Sequence, residues 1–103
     1  MNDDPWILVV GTAPADPDSR EMLELVLAGA TLDCRLVVVF RSAGAAHLEP
    51  GHFDSWRQLI DFSLAELFVD SADAPALPPG GVGTMSEESF ERLSRSAAGV
   101  FEL

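Results

Sequence analysis

The sequence predicts a three-layer α/β/α sandwich built on a five-stranded, mostly parallel sheet. Three observations lead there. WILVVG (Trp6 to Gly11) and RLVVVF (Arg35 to Phe40) are short apolar runs rich in Val, as strands covered on both faces are. The segments between and after them include stretches with the apolar spacing of helices. Strand-like and helix-like segments then alternate to the end of the chain, the pattern of a parallel sheet flanked by helices. At 103 residues, 48% of them hydrophobic, the expectation is one packed domain, 1–103, rather than a disordered chain.

The elements follow in order. After the first strand comes a proline-punctuated loop and then a helix, with Asp16 as a cap and Pro17 at its first position, or with Asp18 or Ser19 as the cap instead. Met22, Leu23, Leu25, Val26 and Leu27 form its apolar side, Arg20 can pair with Glu24 one turn on, and Gly29 marks the exit. With the second strand this makes a β-α-β unit, whose crossover should be right-handed. RSAGAAHLEPGHFD (Arg41 to Asp54) reads as a loop containing a helical turn. A second helix is expected from about Ser55, because Trp56, Leu59, Ile60, Ser63, Leu64 and Leu67 form a stripe of helical period, with Arg57 and Asp61 paired outside. LFV (Leu67 to Val69) is the start of a third strand or the last turn of that helix. Pro75, Pro78, Pro79, Gly80 and Gly81 make Asp70 to Gly83 mostly loop. GVGTM is a weak fourth strand. SEESFERLSRSA is a third helix capped by Ser86, its thin buried side formed by Phe90, Leu93 and Ala97. GVFEL is the fifth strand.

Charge narrows the function. Seventeen Asp and Glu face six basic residues, all Arg, for a net charge of −11. A phosphate backbone or an anionic membrane surface repels such a chain, so no direct nucleic-acid or membrane ligand is expected. The opening MNDD is acidic where a secretory signal is basic, and no apolar run is long enough to span a bilayer. One cysteine, Cys34, excludes an internal disulfide and a cysteine-based zinc site. A reducing cytoplasm fits all of this.

Candidate sites are few. The loop after the first strand (Thr12, Ala13, Pro14) has the placement of a phosphate grip but only Gly11, no Lys, and the carboxylates of Asp16 and Asp18 where the anion would lie; it reads as a structural turn. Cys34 lies between Asp33 and Arg35; the acidic neighbour disfavours a reactive thiolate. His47 and His52, near Glu49 and Asp54, have donors suited to a divalent cation but no spacing that enforces a site, so a surface loop is expected. Trp56 and Phe62 suggest stacking platforms, but Trp56 lies on the apolar stripe and reads as core. No cofactor is implied.

Taken along its length, the chain resembles the DsrE/DsrF/DsrH (Tus sulfur-relay) family, closest to its DsrF or TusC type. GTAP (Gly11 to Pro14) is similar to that subfamily's Ser-Thr-Ala-Pro turn. Arg20-Glu21 opening a helix, LVVVF (Leu36 to Phe40), LEPG (Leu48 to Gly51), LFVDSADA (Leu67 to Ala74) and the closing helix with GVFEL carry the rest. The resemblance implies a DsrEFH-like sheet of strand order 4-3-2-1-5. It also implies an oligomer with DsrE/TusD-like and DsrH/TusB-like subunits, or a homo-oligomer, that relays persulfide sulfur for tRNA thiolation or other sulfur metabolism. The family's active cysteine, just after the third strand, corresponds to Asp70 and Ser71 here. A carboxylate is no sulfur nucleophile, which implies a non-catalytic subunit. The alternatives are a sulfurtransferase that carries persulfide on Cys34, and a stand-alone homo-oligomer that binds a small ligand. The chain departs from its relatives in the short, proline-rich stretch from Asp73 to Gly81, where they commonly have a helical turn.

Overall fold

The computed structural model of the chain describes residues 4–30 and 35–103. Five strands, β1 (Trp6–Val10), β2 (Leu36–Phe40), β3 (Glu66–Asp70), β4 (Val82–Met85) and β5 (Gly99–Glu102), form one sheet in the order β4-β3-β2-β1-β5. Every neighbouring pair is parallel, with Leu8 opposite Val38 and Phe101, and Val38 opposite Leu67. Three helices, α1 (Ser19–Ala30), α2 (Asp54–Asp61) and α3 (Glu87–Ser96), and a 3-10 helix (Ser42–Leu48) make the connections.

Strand alternation divides the core into two layers. Val10, Leu36, Val38, Phe40, Leu67 and Val69 face α1, the 3-10 helix and α2, meeting Met22, Val26, Leu48, Trp56 and Leu59. Ile7, Val9, Val37, Val39 and Met85 face the other way, where Phe90 and Leu93 of α3 and Ala97 just past it lie against them, only partly buried. The steps from β1 to β2 to β3 run in one direction with their helices on one face. The step from β4 to β5 returns past β1 with α3 on the opposite face, as crossovers of a single hand require.

Several local expectations need correction. At α1, Asp18 rather than Asp16 holds the cap position, its carbonyl accepting from the Met22 N–H at 3.0 Å. Asp16 instead bonds the Asp18 N–H at 2.9 Å. Gly29 lies inside the last turn rather than beyond it. The Arg20–Glu24 pair forms at 3.8 Å, whereas Arg57 reaches back to Asp54 at 3.9 Å rather than forward to Asp61.

The second helix is shorter than its stripe. It ends at Asp61, because Ser63 takes a left-handed backbone with φ of 52°. The Leu64 N–H then donates to the Leu59 carbonyl at 2.8 Å, and the Ser63 N–H to that of Ile60 at 3.0 Å. These are the two bonds of a Schellman ending, a position usually held by glycine. Leu64 and Leu67 still reach the core, but Leu67 does so from β3. Ser86 caps α3 as expected, its hydroxyl accepting from the Ser89 N–H at 3.1 Å.

Candidate functional site

In an open parallel α/β sheet, ligands and chemistry collect at the carboxyl ends of the strands. Two polar clusters occupy that rim here.

The first joins the loop after β1 to α2. His47, at the end of the 3-10 helix, is only 4% exposed, contrary to the surface loop expected for it. Its Nε2 is 2.7 Å from the Thr12 carbonyl oxygen, and its Nδ1 accepts from Trp56 Nε1 at 3.1 Å. The indole can only donate and the carbonyl can only accept, so the imidazole is neutral with its proton on Nε2. Burial holds its pKa below the ordinary 6.5, against an opposing contribution from the Thr12 bond, and His52 adds a smaller downward push. Phe40 meets Trp56 edge-on, with ring centroids 4.9 Å apart.

With both nitrogens engaged, His47 has no lone pair for a cation, while His52 is exposed. Among the described residues no group of three or more His, Cys, Asp or Glu side chains is placed to hold a metal. Trp56 is wholly buried core, and Phe62, outside α2, is exposed. The Thr12–Pro14 turn is held from within: Thr12 by His47, and Ala13 by the Asp16 N–H at 3.0 Å. A Cβ on Gly44 would overlap the Val10 carbonyl oxygen, so glycine is required where the 3-10 helix crosses the end of β1.

The second cluster centres on Asp70 at the end of β3. Arg41, just past β2, donates from Nε to Asp70 Oδ2 at 3.2 Å, and its guanidinium lies 4.3 Å over the Phe90 ring. The other oxygen of Asp70 accepts the Ala72 N–H at 2.9 Å. Ser71 donates its N–H to the Met85 carbonyl at 2.9 Å, and Asp73 accepts from the Ser42 N–H, also at 2.9 Å. Asp70 and Asp73 therefore latch the β3–β4 loop onto the turn after β2. Ser42, with φ of 53°, is left-handed at that turn. Both carboxylate oxygens of Asp70 serve structure, and a carboxylate cannot carry sulfur as a thiol does. Cys34 lies outside the described residues.

Sequence reasoning found Asp70 but neither partner. Once β2 and β3 are known neighbours, the pairing of Phe40 with Val69 sets Arg41 beside Asp70. The His47–Trp56 bond had a weaker signal: an indole on a buried stripe needs an acceptor.

No protein-family model matches the chain, and no curated protein matches it by sequence. Among solved structures it is similar to the crystal structure of the ychN protein from E. coli, with a TM-score of 0.71 and 14% identity. The likeness covers 97% of this chain and 99% of that one. At that identity it shows the fold alone: the chain has the DsrE-like arrangement, an all-parallel five-stranded sheet in the order 4-3-2-1-5.

Proposed function

We propose that the chain is a non-catalytic, DsrF/TusC-like subunit of a cytoplasmic sulfur-relay assembly, supplying structure and interface while a partner supplies the thiol. One observation carries the reading. Asp70, at the end of β3, is the position that the resemblance aligns with the family's active cysteine, and its two oxygens are engaged by Arg41 and the Ala72 N–H. So engaged, this position offers no thiol to accept a persulfide or hand one on. The DsrE-like fold supports the reading by providing the scaffold on which such relays are built.

Co-expression with neighbouring DsrE/TusD-like and DsrH/TusB-like proteins tests it. The chain should co-purify in a stoichiometric complex, and that complex should relay sulfur with Cys34→Ser in place. A strict monomer that binds neither partner removes the reading. Loss of relay in the Cys34→Ser complex transfers the sulfur-carrying role to this chain.

A further inference from the structure

The two edges of the sheet are finished differently. At β4, Pro78 and Pro79 precede the strand and Thr84 is exposed. Ile60 closes over Gly81, and Phe68 lies against Gly83. At β5 the outer edge carries no Pro or Lys, the residues that commonly blunt a strand edge. The Ala98 N–H turns inward to the Pro5 carbonyl at 2.8 Å. The Leu103 N–H likewise turns inward, to the Val9 carbonyl at 2.8 Å. With Ile7 opposite Val100 and Val9 opposite Glu102, the backbone groups of Val100 and Glu102 are the ones turned outward.

Beside this edge, along α1, lies an apolar groove of about 370 Å³ lined by Trp6, Leu8, Leu25, Leu36, Phe101 and Leu103. Phe101 is 50% exposed and stacks on Trp6 with centroids 5.5 Å apart. A Cβ on Gly99 would run into the Trp6 indole, so glycine lets the indole lie flat along β5. Val100 is exposed on the strand's other face. The rim is acidic: Glu102 on the strand, Asp4 ahead of Trp6, and Glu21 one turn before Leu25 on α1, all exposed. The nearby cation, Arg35, is bonded to Glu66 at 2.7 Å.

We infer that the β5 edge is a docking surface for an added β-strand from a protein partner whose apolar anchors are flanked by Lys or Arg. The outward amide and carbonyl groups supply the ladder, the Trp6–Phe101 groove takes an apolar side chain, and the acidic rim selects basic flanks. Charge decides between occupants. A second copy would bring the same acidic rim and another net charge of −11, whereas a basic-flanked strand neutralises it. The inference goes beyond the subunit reading and holds whether or not the partner is a homologous subunit.

Two synthetic peptides test it, acetyl-KVKFKVK-amide and its acidic analogue acetyl-EVEFEVE-amide, followed by tryptophan fluorescence and by backbone amide shifts. The basic peptide should bind saturably, at least about tenfold tighter than the acidic one, with shifts centred on residues 99–103. Phe101→Asp should weaken it at least about tenfold while Leu77→Asp, on an exposed loop far along the chain, leaves it unchanged. Phe101→Ser serves if the aspartate variant does not fold. Absence of saturable binding, equal affinity for the two peptides, or shifts elsewhere overturns the inference. So does a peptide-free dimer that Phe101→Asp dissociates, since a second copy would then cover the edge. None of these outcomes bears on co-purification with sulfur-relay partners, so the two readings fail separately.

Discussion

The two polar clusters at the carboxyl rim solve the same problem by opposite means. Thr12, His47 and Trp56 are joined without a formal charge, deep enough that His47 is kept neutral. Arg41 and Asp70 carry full charges, but their side chains remain 29% and 16% exposed, and Phe90 covers only one side of the guanidinium. The difference shows what each depth of the rim tolerates. A donor–acceptor chain with every group matched survives burial, while an ion pair stays where water still reaches it. The neutral cluster should therefore dominate stability, and the charged one should hold loop geometry.

Trp56→Ala is the largest way to break that contrast. It deletes a wholly buried ring and strands Nδ1 of His47, and denaturant titration should show a loss of about 3–5 kcal/mol. Trp56→Phe keeps most of the ring and removes only the N–H, with an expected cost of about 1–3 kcal/mol. The freed Nδ1 can then accept a proton, so the His47 pKa measured by NMR should rise. An unchanged pKa would mean that the Trp56 bond plays no part in keeping the imidazole neutral.

Acid probes the same cluster. The unfolded imidazole takes up a proton near its ordinary 6.5, while the folded one resists until a lower pH. The stability contributed by neutral His47 is therefore complete above about 6.5 and declines as pH falls through that value toward the lower native pKa, beyond which the decline stops. Urea melts across this window should show a slope from this group of at most about 1.4 kcal/mol per pH unit. His47→Gln should flatten it.

The charged cluster should respond far less. A double-mutant cycle of Arg41→Gln and Asp70→Asn should give a coupling of about 0.5–1 kcal/mol that shrinks in high salt. A coupling several times larger would erase the distinction between the clusters. Of similar size, but of opposite sign and touching neither cluster, Ser63→Gly relieves the left-handed backbone that ends α2 and should raise stability by about 0.5–1 kcal/mol. That variant gives the baseline against which both clusters are read.

Much of the architecture was legible because it rests on composition and period. LVVVF is buried at every position, the consequence of two covered faces, and Ser86 is a cap wherever SEES precedes an apolar helix face. The end of α2 was illegible for a physical reason. Serine stands where a left-handed residue is needed, so no glycine announced the stop. Leu64 and Leu67 continued the helical spacing although one packs on the core from the turn and the other from β3. The rim was half legible. Asp70 could be placed at a strand end, but Arg41 is its partner only through the lateral order of β2 and β3. His47 read as exposed because no local pattern reports that a histidine is turned inward by a tryptophan nine residues on.

The sheet sets residue 6 beside residue 99, and that has a consequence for biosynthesis. While the chain is being made, β1 can be joined by β2, then β3 and β4, yet its second flank stays bare until translation has passed Glu102. Throughout that interval Trp6 lacks its stacking neighbour on a strand-shaped, greasy surface. The nascent protein is thus vulnerable to clumping until β5 has been made, and a chaperone that lingers on β1 would have the most to protect.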